Sequence, residues 1–349
     1  MYSELFLNDT ASEKLDLAKL LPEMQPYLQP NKIFYFIDFL ITFLIGNVCL
    51  VLAAMEETGS LIQFVLIIIA SLALFRMTIF MHEIYHLNKK LGWTGMMYNL
   101  FHGFLHKVPL YNYNTHLYHH LPRTYGTMED AEYDNLGHRG PFYILVFSPF
   151  VVSLFLPLFL IIRWGIIPFL LPFIGSNGRT FVFRYMSTLA LNLKYVRPLP
   201  TDAEKKEWYL QDAGCAVYTL ATAVLLYTGV LPITLMGVWC AAIYLTSVIN
   251  YYRVIMSHRY ISNFTQTSHK QQIIDSTTLP PTLFNTLFFP VGLRYHALHH
   301  MFPQIPYHNM EAAHRHLLTI LPKNHPYHAT ILKNYCSGLR SLLNHRQRG

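Results

Sequence analysis

Histidine is the residue this chain of 349 uses to excess, with 19 copies against 17 glycines. Eight of them fall in three short clusters. His82-Glu83-Ile84-Tyr85-His86 holds a pair at i and i+4, and His116-Leu117-Tyr118-His119-His120 and His296-Ala297-Leu298-His299-His300 are two copies of an HxxHH pattern. On a helix, positions i, i+3 and i+4 fall within about 100° of arc, so each triplet can aim its imidazoles at one centre. A lone pair at a membrane edge is ordinarily a hydrogen-bonded side chain, whereas three clusters in one chain point to metal ligation. One tetrahedral zinc uses four ligands, so eight imidazoles imply two metals. Imidazole suits Zn, Cu, Fe and Ni alike, so ligand type leaves the metal open. Position narrows it. The clusters emerge from apolar runs, within reach of a lipid chain, and oxidising an unactivated methylene takes a redox metal and oxygen; iron is the economical reading. Glu83, Asp130, Glu132 and Glu311 can accept the free ring N–H of ligand histidines and fix their tautomers, or serve as plain surface charge and helix caps. His102 and His106 repeat the i, i+4 spacing on an amphipathic segment where a surface pair is the plainer expectation, and His308, His314 and His316 fit a solvated helix.

The elements that carry these clusters belong to a membrane. The chain is 52% hydrophobic and only 13% charged, about half the charge of a soluble domain. Such a composition excludes disorder, and the 24 tyrosines suit interfacial anchors. Four scattered cysteines without a CxxC make no disulfide scaffold; Cys49, Cys215 and Cys240 read as small core residues. Apolar runs at 33–54 and 61–81 are joined by Glu56-Glu57-Thr58-Gly59-Ser60, and a second pair at 213–229 and 231–249 turns at Gly229 and Pro232, neither link carrying a cation. Each run is near the 20 residues that span a bilayer. The expected fold is all-α and polytopic, with four transmembrane helices in two hairpins under a cytoplasmic helical cap that holds the metals. A single domain, 1–349, then divides into an N-terminal segment 1–32, hairpins at 33–81 and 213–249, the first two boxes in 82–140, an apolar segment 141–175, the third box in 250–305 and a C-terminal segment 306–349. Almost every Lys and Arg lies before, between or after the hairpins, which puts both termini and the site in the cytoplasm. The first 30 residues lack the basic start of a cleaved signal peptide. Residues 142–175 resist the count, being apolar but interrupted by Pro149, Pro157, Pro168, Pro172 and Arg163-Trp164. One crossing there would part the second and third clusters, so this stretch is expected to lie in the interface or to re-enter and return. The net charge of +7 suits anionic headgroups, and no nucleic-acid motif accompanies it.

The three boxes, their order and their placement after the two hairpins resemble the membrane fatty acid desaturase family. The string RYHALHHMFPQIPYHNMEAAHR, from Arg294 to Arg315, is similar to that family's third box and flank. Tyr125-Gly126-Thr127, followed by Asp130, Glu132 and Tyr133, resembles the segment after the second box in bacterial members. The resemblance covers about 80–310 and implies two irons held by histidines, with one more ligand from the helix that leaves the fourth span. The matching residue is His258, which completes a set of His82, His86, His116, His119, His120, His258, His296, His299 and His300. Stearoyl-type relatives also carry a water-linked asparagine one turn before that histidine. Val254 stands there in this chain, and Asn250 is the nearest substitute.

What the resemblance implies is an O2-dependent lipid acyl-chain desaturase working between Fe2+ and Fe3+, with O2 as co-substrate and two external electrons completing its reduction to water. The implied partners are an acyl lipid, membrane lipids and a ferredoxin or cytochrome-type carrier with its reductase, since no HPGG haem-domain motif is present. Lys89, Lys90, Lys107 and Arg123 are candidate docking or headgroup cations, and Trp93–Leu110 a candidate tunnel wall. A bacterial inner membrane is the expected location. The alternative on the same scaffold is a hydroxylase of fatty acid, carotenoid or sphingolipid, which adds one oxygen instead of removing two hydrogens. HEIYH also fits the HExxH of an intramembrane zinc protease with Glu83 as base, though the remaining histidines would then be idle. A metal transporter would hold its ligands near mid-membrane, not at span ends.

Overall fold

The computed structural model describes residues 17–134, 136–262 and 264–345; of the N-terminal segment 1–32, residues 1–16 lie outside that description. Its principal helices are α1 (Lys32–Met55), α2 (Leu61–Leu91), α3 (His116–His119), α4 (Tyr143–Leu170), α5 (Asp202–Tyr227), α6 (Thr234–Ile255), α7 (His296–Met301) and α8 (Met310–Ile320). Among the described residues there is no β-strand, only isolated bridges such as that of His258 with Ser276. The all-helical class read from the periodicity is the class observed.

Asn31 starts α1 by accepting a hydrogen bond from the Phe34 N–H, a cap that satisfies one of the free donors of the first turn. The return to α2 runs through Gly59 at φ +86°, a left-handed conformation that costs glycine nothing. Gln63 ties this turn, donating to the Ala53 carbonyl at 2.9 Å and accepting from the Gly59 N–H. Gly46 lets the helices close, since a Cβ there would stand 3.2 Å from that of Ala73. α6 joins the pair where Thr246 donates to the Ser71 carbonyl at 3.0 Å. The opposite faces are apolar and exposed: Ile33, Ile37, Ile41 and Val48 on α1, Ile62 and Val65 on α2, Val217 and Leu220 on α5. Such a surface fits lipid and not water.

Among the described residues five helices are long and apolar enough to cross a membrane, one more than the sequence count, and α4 is the addition. Its turns widen to π-helical spacing over Tyr143–Val152 and Ile161–Ile166, around Pro149 and on the far side of Pro157, where each proline removes an N–H from the ladder. Both flanks of α4 are anchored to the 110–134 stretch that carries the second box. At the start, the Tyr143 hydroxyl meets Asp134 at 3.5 Å. Farther along, Arg163 donates to Asp212 at 3.1 Å and to the Tyr111 hydroxyl at 2.5 Å, and the Trp164 indole donates to that hydroxyl at 2.8 Å. Tyr111 passes its own proton to Asp212 at 2.7 Å, joining α4, α5 and the loop before α3 in one knot. Trp208 of α5 stacks on Tyr111 at 5.0 Å, and the Arg197 guanidinium lies 3.8 Å from the Trp208 ring.

Arg163 is 0% exposed, and among the described residues Asp212 is its one carboxylate partner. Removing that carboxylate strands a buried guanidinium, so Asp212→Ala is expected to cost about 3–5 kcal/mol. The measurement is a thermal unfolding midpoint in detergent, which should fall by several degrees.

Candidate metal centre

The last turns of α2 place His82 and His86 on one face, and α3 is a single turn built from the second box. His258 follows the end of α6, and α7 is buried over all six of its residues. These elements converge so that the nine histidines form two groups. His82, His86, His116, His120 and His299 make the first; His119, His258, His296 and His300 make the second. Within each group the ring nitrogens lie within 4.8 Å of one another. The division cuts across the boxes, because adjacent residues on a helix point about 100° apart: His119 goes one way, His116 and His120 the other.

The nearest nitrogens are 3.0 Å apart for His296 and His258, 3.1 Å for His120 and His116, and 3.1 Å for His299 and His120. Those are the edge lengths, roughly 3.0–3.4 Å, that metal–nitrogen bonds of about 2.1 Å produce. Proton accounting strengthens the case. His119 Nδ1 donates to Asp130 at 2.8 Å, a carboxylate that raises the imidazole above its usual range, and in the neutral ring Nε2 is left as a lone pair. Tyr125 donates to Asp275 at 2.6 Å and accepts from His258 Nδ1 at 2.8 Å, which leaves the Nε2 of His258 bare as well. These two bare nitrogens face each other at 3.2 Å. Lone pairs repel at that distance unless a cation stands between them. Both ring nitrogens of His82 and the Nε2 of His86 are buried without a hydrogen-bond partner, as metal ligands would be. Burial holds His116, His258, His296, His299 and His300 well below the usual imidazole range, so they stay neutral, the form that binds a metal. The donor set therefore fits two cations.

Of the four acids named from the sequence, two reach the rings. Asp130 holds His119, and Glu132, which burial pushes up to about 7, lies 2.7 Å from His116 Nδ1. Glu83 does not. One residue on from His82, it turns toward α1, where it accepts from the Tyr35 hydroxyl and, at 3.1 Å, from the Tyr307 N–H. With His82 and His86 also shared among five histidines, the HExxH protease geometry is not formed. Glu311 pairs with Arg294 at 2.9 Å and with Arg315. Asn250 accepts from Arg253 at 2.6 Å and faces a cavity, not the histidine groups. Sequence reasoning missed Asp275, which takes the hydroxyls of Tyr125 and Tyr133 and steadies His258 through the former; Tyr125 and Tyr133 were the signal, since a buried phenol needs an acceptor.

A cavity of about 420 Å³ opens beside α2, lined by Phe75 and Thr78, one turn before His82, and by Leu156, Phe159 and Ile243. His102, His106 and Val108 of the expected wall Trp93–Leu110 also line it. The cationic set is thinner than expected. Lys107 is buried and donates to the Phe104 carbonyl, Lys90 donates to the Leu28 carbonyl at 2.6 Å, and the Lys89 side chain lies outside the described residues; Arg123 is exposed.

Comparison with known proteins agrees with this geometry. The family model described as fatty acid desaturase matches residues 59–331. Over 270 residues the chain is 32% identical to a ceramide hydroxylase of Caulobacter vibrioides (strain NA1000 / CB15N), an alignment covering 75% of this chain and 74% of that protein. No solved structure matches.

Asp130→Ala frees the His119 ring to take its other tautomer, and metal affinity should fall about 10- to 100-fold. Metal per chain after dialysis against graded chelator reads this directly. Glu83→Gln, by contrast, should retain the metal and lower thermal stability.

Proposed function

The chain belongs to the fatty acid desaturase family, and from that premise we propose that it hydroxylates the hydrocarbon chain of a ceramide-type membrane lipid, using O2 and two irons held by its nine histidines. The observation that carries this reading is the pair of histidine groups, on a helix α2 whose Phe75 and Thr78, before His82, line a cavity. The activity named for the Caulobacter relative favours hydroxylation. Desaturation, the first expectation from the boxes, is the second reading. The two differ in balance: hydroxylation turns C–H, O2, two electrons and two protons into C–OH and water, whereas desaturation turns a CH2–CH2 unit and the same reactants into CH=CH and two waters.

Two bound irons supply the redox chemistry that makes O2 reactive toward an unactivated C–H bond. The residues of the chain do the rest. Asp130, Glu132 and the Tyr125–Asp275 pair lock ring orientations, so the ligand set is preorganised before any metal arrives. Phe75, Leu156, Phe159 and Ile243 exclude water from the cavity and align the lipid chain along α2 toward the end that bears His82.

Topology follows from parity. His120 and His258 share one side, so an even number of crossings must separate them; α5 and α6 supply two, and α4 then stays in the interface with both flanks tied to the 110–134 stretch. This gives four spans in a single domain, with a helical cap and both termini in the cytoplasm of a bacterial inner membrane. The cation-free turns at 56–60 and 228–233 support that orientation. Electrons come from a separate ferredoxin or cytochrome-type carrier and its reductase.

Expression in a lipid-producing host should yield a lipid heavier by one oxygen, and His299→Ala should abolish it while protein level holds. A product lighter by two hydrogens would select desaturation. The purified protein should carry about two irons per chain; one zinc or no metal would sink the assignment.

A further inference from the structure

His102 and His106 belong to neither histidine group, yet they are 1% and 2% exposed and line the cavity. Their rings stand 4.9 Å apart. Neighbours fix both tautomers. Thr78 donates its hydroxyl proton to the Leu74 carbonyl at 2.9 Å, so toward His102 Nε2, also at 2.9 Å, it accepts. His102 therefore carries its proton on Nε2, and Nδ1 is a bare acceptor. The Trp239 indole N–H can only donate, and it donates to His106 Nδ1 at 3.1 Å. His106 therefore carries its proton on Nε2. Burial keeps both rings neutral, pulling His106 down to about 3 and His102 well below the usual range. The two remaining atoms, His102 Nδ1 and His106 Nε2, are buried without a partner. Two residues that line the cavity with Phe75, Leu156, Phe159 and Ile243 thus offer one unpartnered acceptor and one unpartnered donor.

That pair is the complement of a hydroxyl, which gives and takes a hydrogen bond at a single oxygen. We propose that His102 and His106 bind a hydroxyl group of the lipid, so that the cavity selects a hydroxylated long-chain lipid over the same chain without it. Thr78, which orients His102, sits four residues, about 6 Å along the helix, before His82. The inference rests on the lipid-oxidising reading above for its context, but binding tests it without turnover.

The test uses metal-free full-length protein in phosphatidylcholine nanodiscs and two radiolabelled probes: a ceramide bearing its chain hydroxyl, and the same ceramide with hydrogen in that place. Wild type should prefer the hydroxylated probe by about tenfold or more, because an unpaired buried donor and acceptor penalise the other. His102→Leu and His106→Phe should each bring the two probes within about threefold, and His106→Gln, which keeps an N–H donor, should retain part of the preference. Equal binding by wild type, or a preference that survives both variants, overturns the inference and leaves the pair to a buried water. The wild-type comparison needs no variant, so misfolding cannot blur it. If the preference is found but iron-loaded protein oxidises neither probe, the proposed activity fails and the hydroxyl site stands.

Discussion

Bare imidazole nitrogens held about 3 Å apart are the constraint on which this molecule turns. Asp130 and the Tyr125–Asp275 pair force protons onto the outer nitrogens of His119 and His258, and so aim lone pair at lone pair across the second group. With both rings neutral and no cation between them that arrangement is repulsive, so folding energy from elsewhere must hold it. The supply is local and identifiable. α7 is buried against Leu17, Met24, Ile305 and Leu317 in an apolar cluster of its own, and α2 is clamped by α1 and α6. The packed cap and the clamped helices bring together charges and dipoles that would not associate by themselves.

The knot around Tyr111 performs the same service for the second box. One hydroxyl collects Arg163 and Trp164 from α4 and gives its proton to Asp212 of α5. This explains why an apolar stretch as long as a span carries an arginine and a tryptophan in its middle. They anchor α4 to the loop that feeds α3. The prolines that disturb α4 are tolerated because neighbouring helices and side chains re-satisfy its backbone.

Much of this was legible from spacing. Eight of the nine grouped histidines declare themselves through i, i+3 and i+4 repeats, and the four apolar runs through length alone. His258 does not, because a single histidine past the end of an apolar run has no periodicity to betray it; only the family resemblance supplied it. Asp275 was invisible for a different reason: its partners Tyr125 and Tyr133 are about 150 and 142 residues away in sequence, and no local pattern encodes such a contact. Glu83 was legible as an acid beside a ligand but not as to direction, which the α2 face decides. Lys107 reads as a surface cation until its backbone, at φ +64°, turns its side chain inward. His102 and His106 show the same limit, since their spacing is that of any surface helix and only the neighbours Thr78 and Trp239 reveal what they can bind.

The crossing of ligands between the two groups also sets an order of assembly. His82 and His86 emerge from the ribosome early, yet the first group needs His299 and the second needs His296 and His300. Glu83 likewise waits for the backbone of Tyr307, and Asp38 of α1 for the Tyr307 hydroxyl. Neither metal site can close until nearly nine-tenths of the polypeptide has been made. A nascent chain that has made only α1 and α2 thus offers a metal no more than two of the grouped imidazoles, and neither site can fill before the fold around it exists.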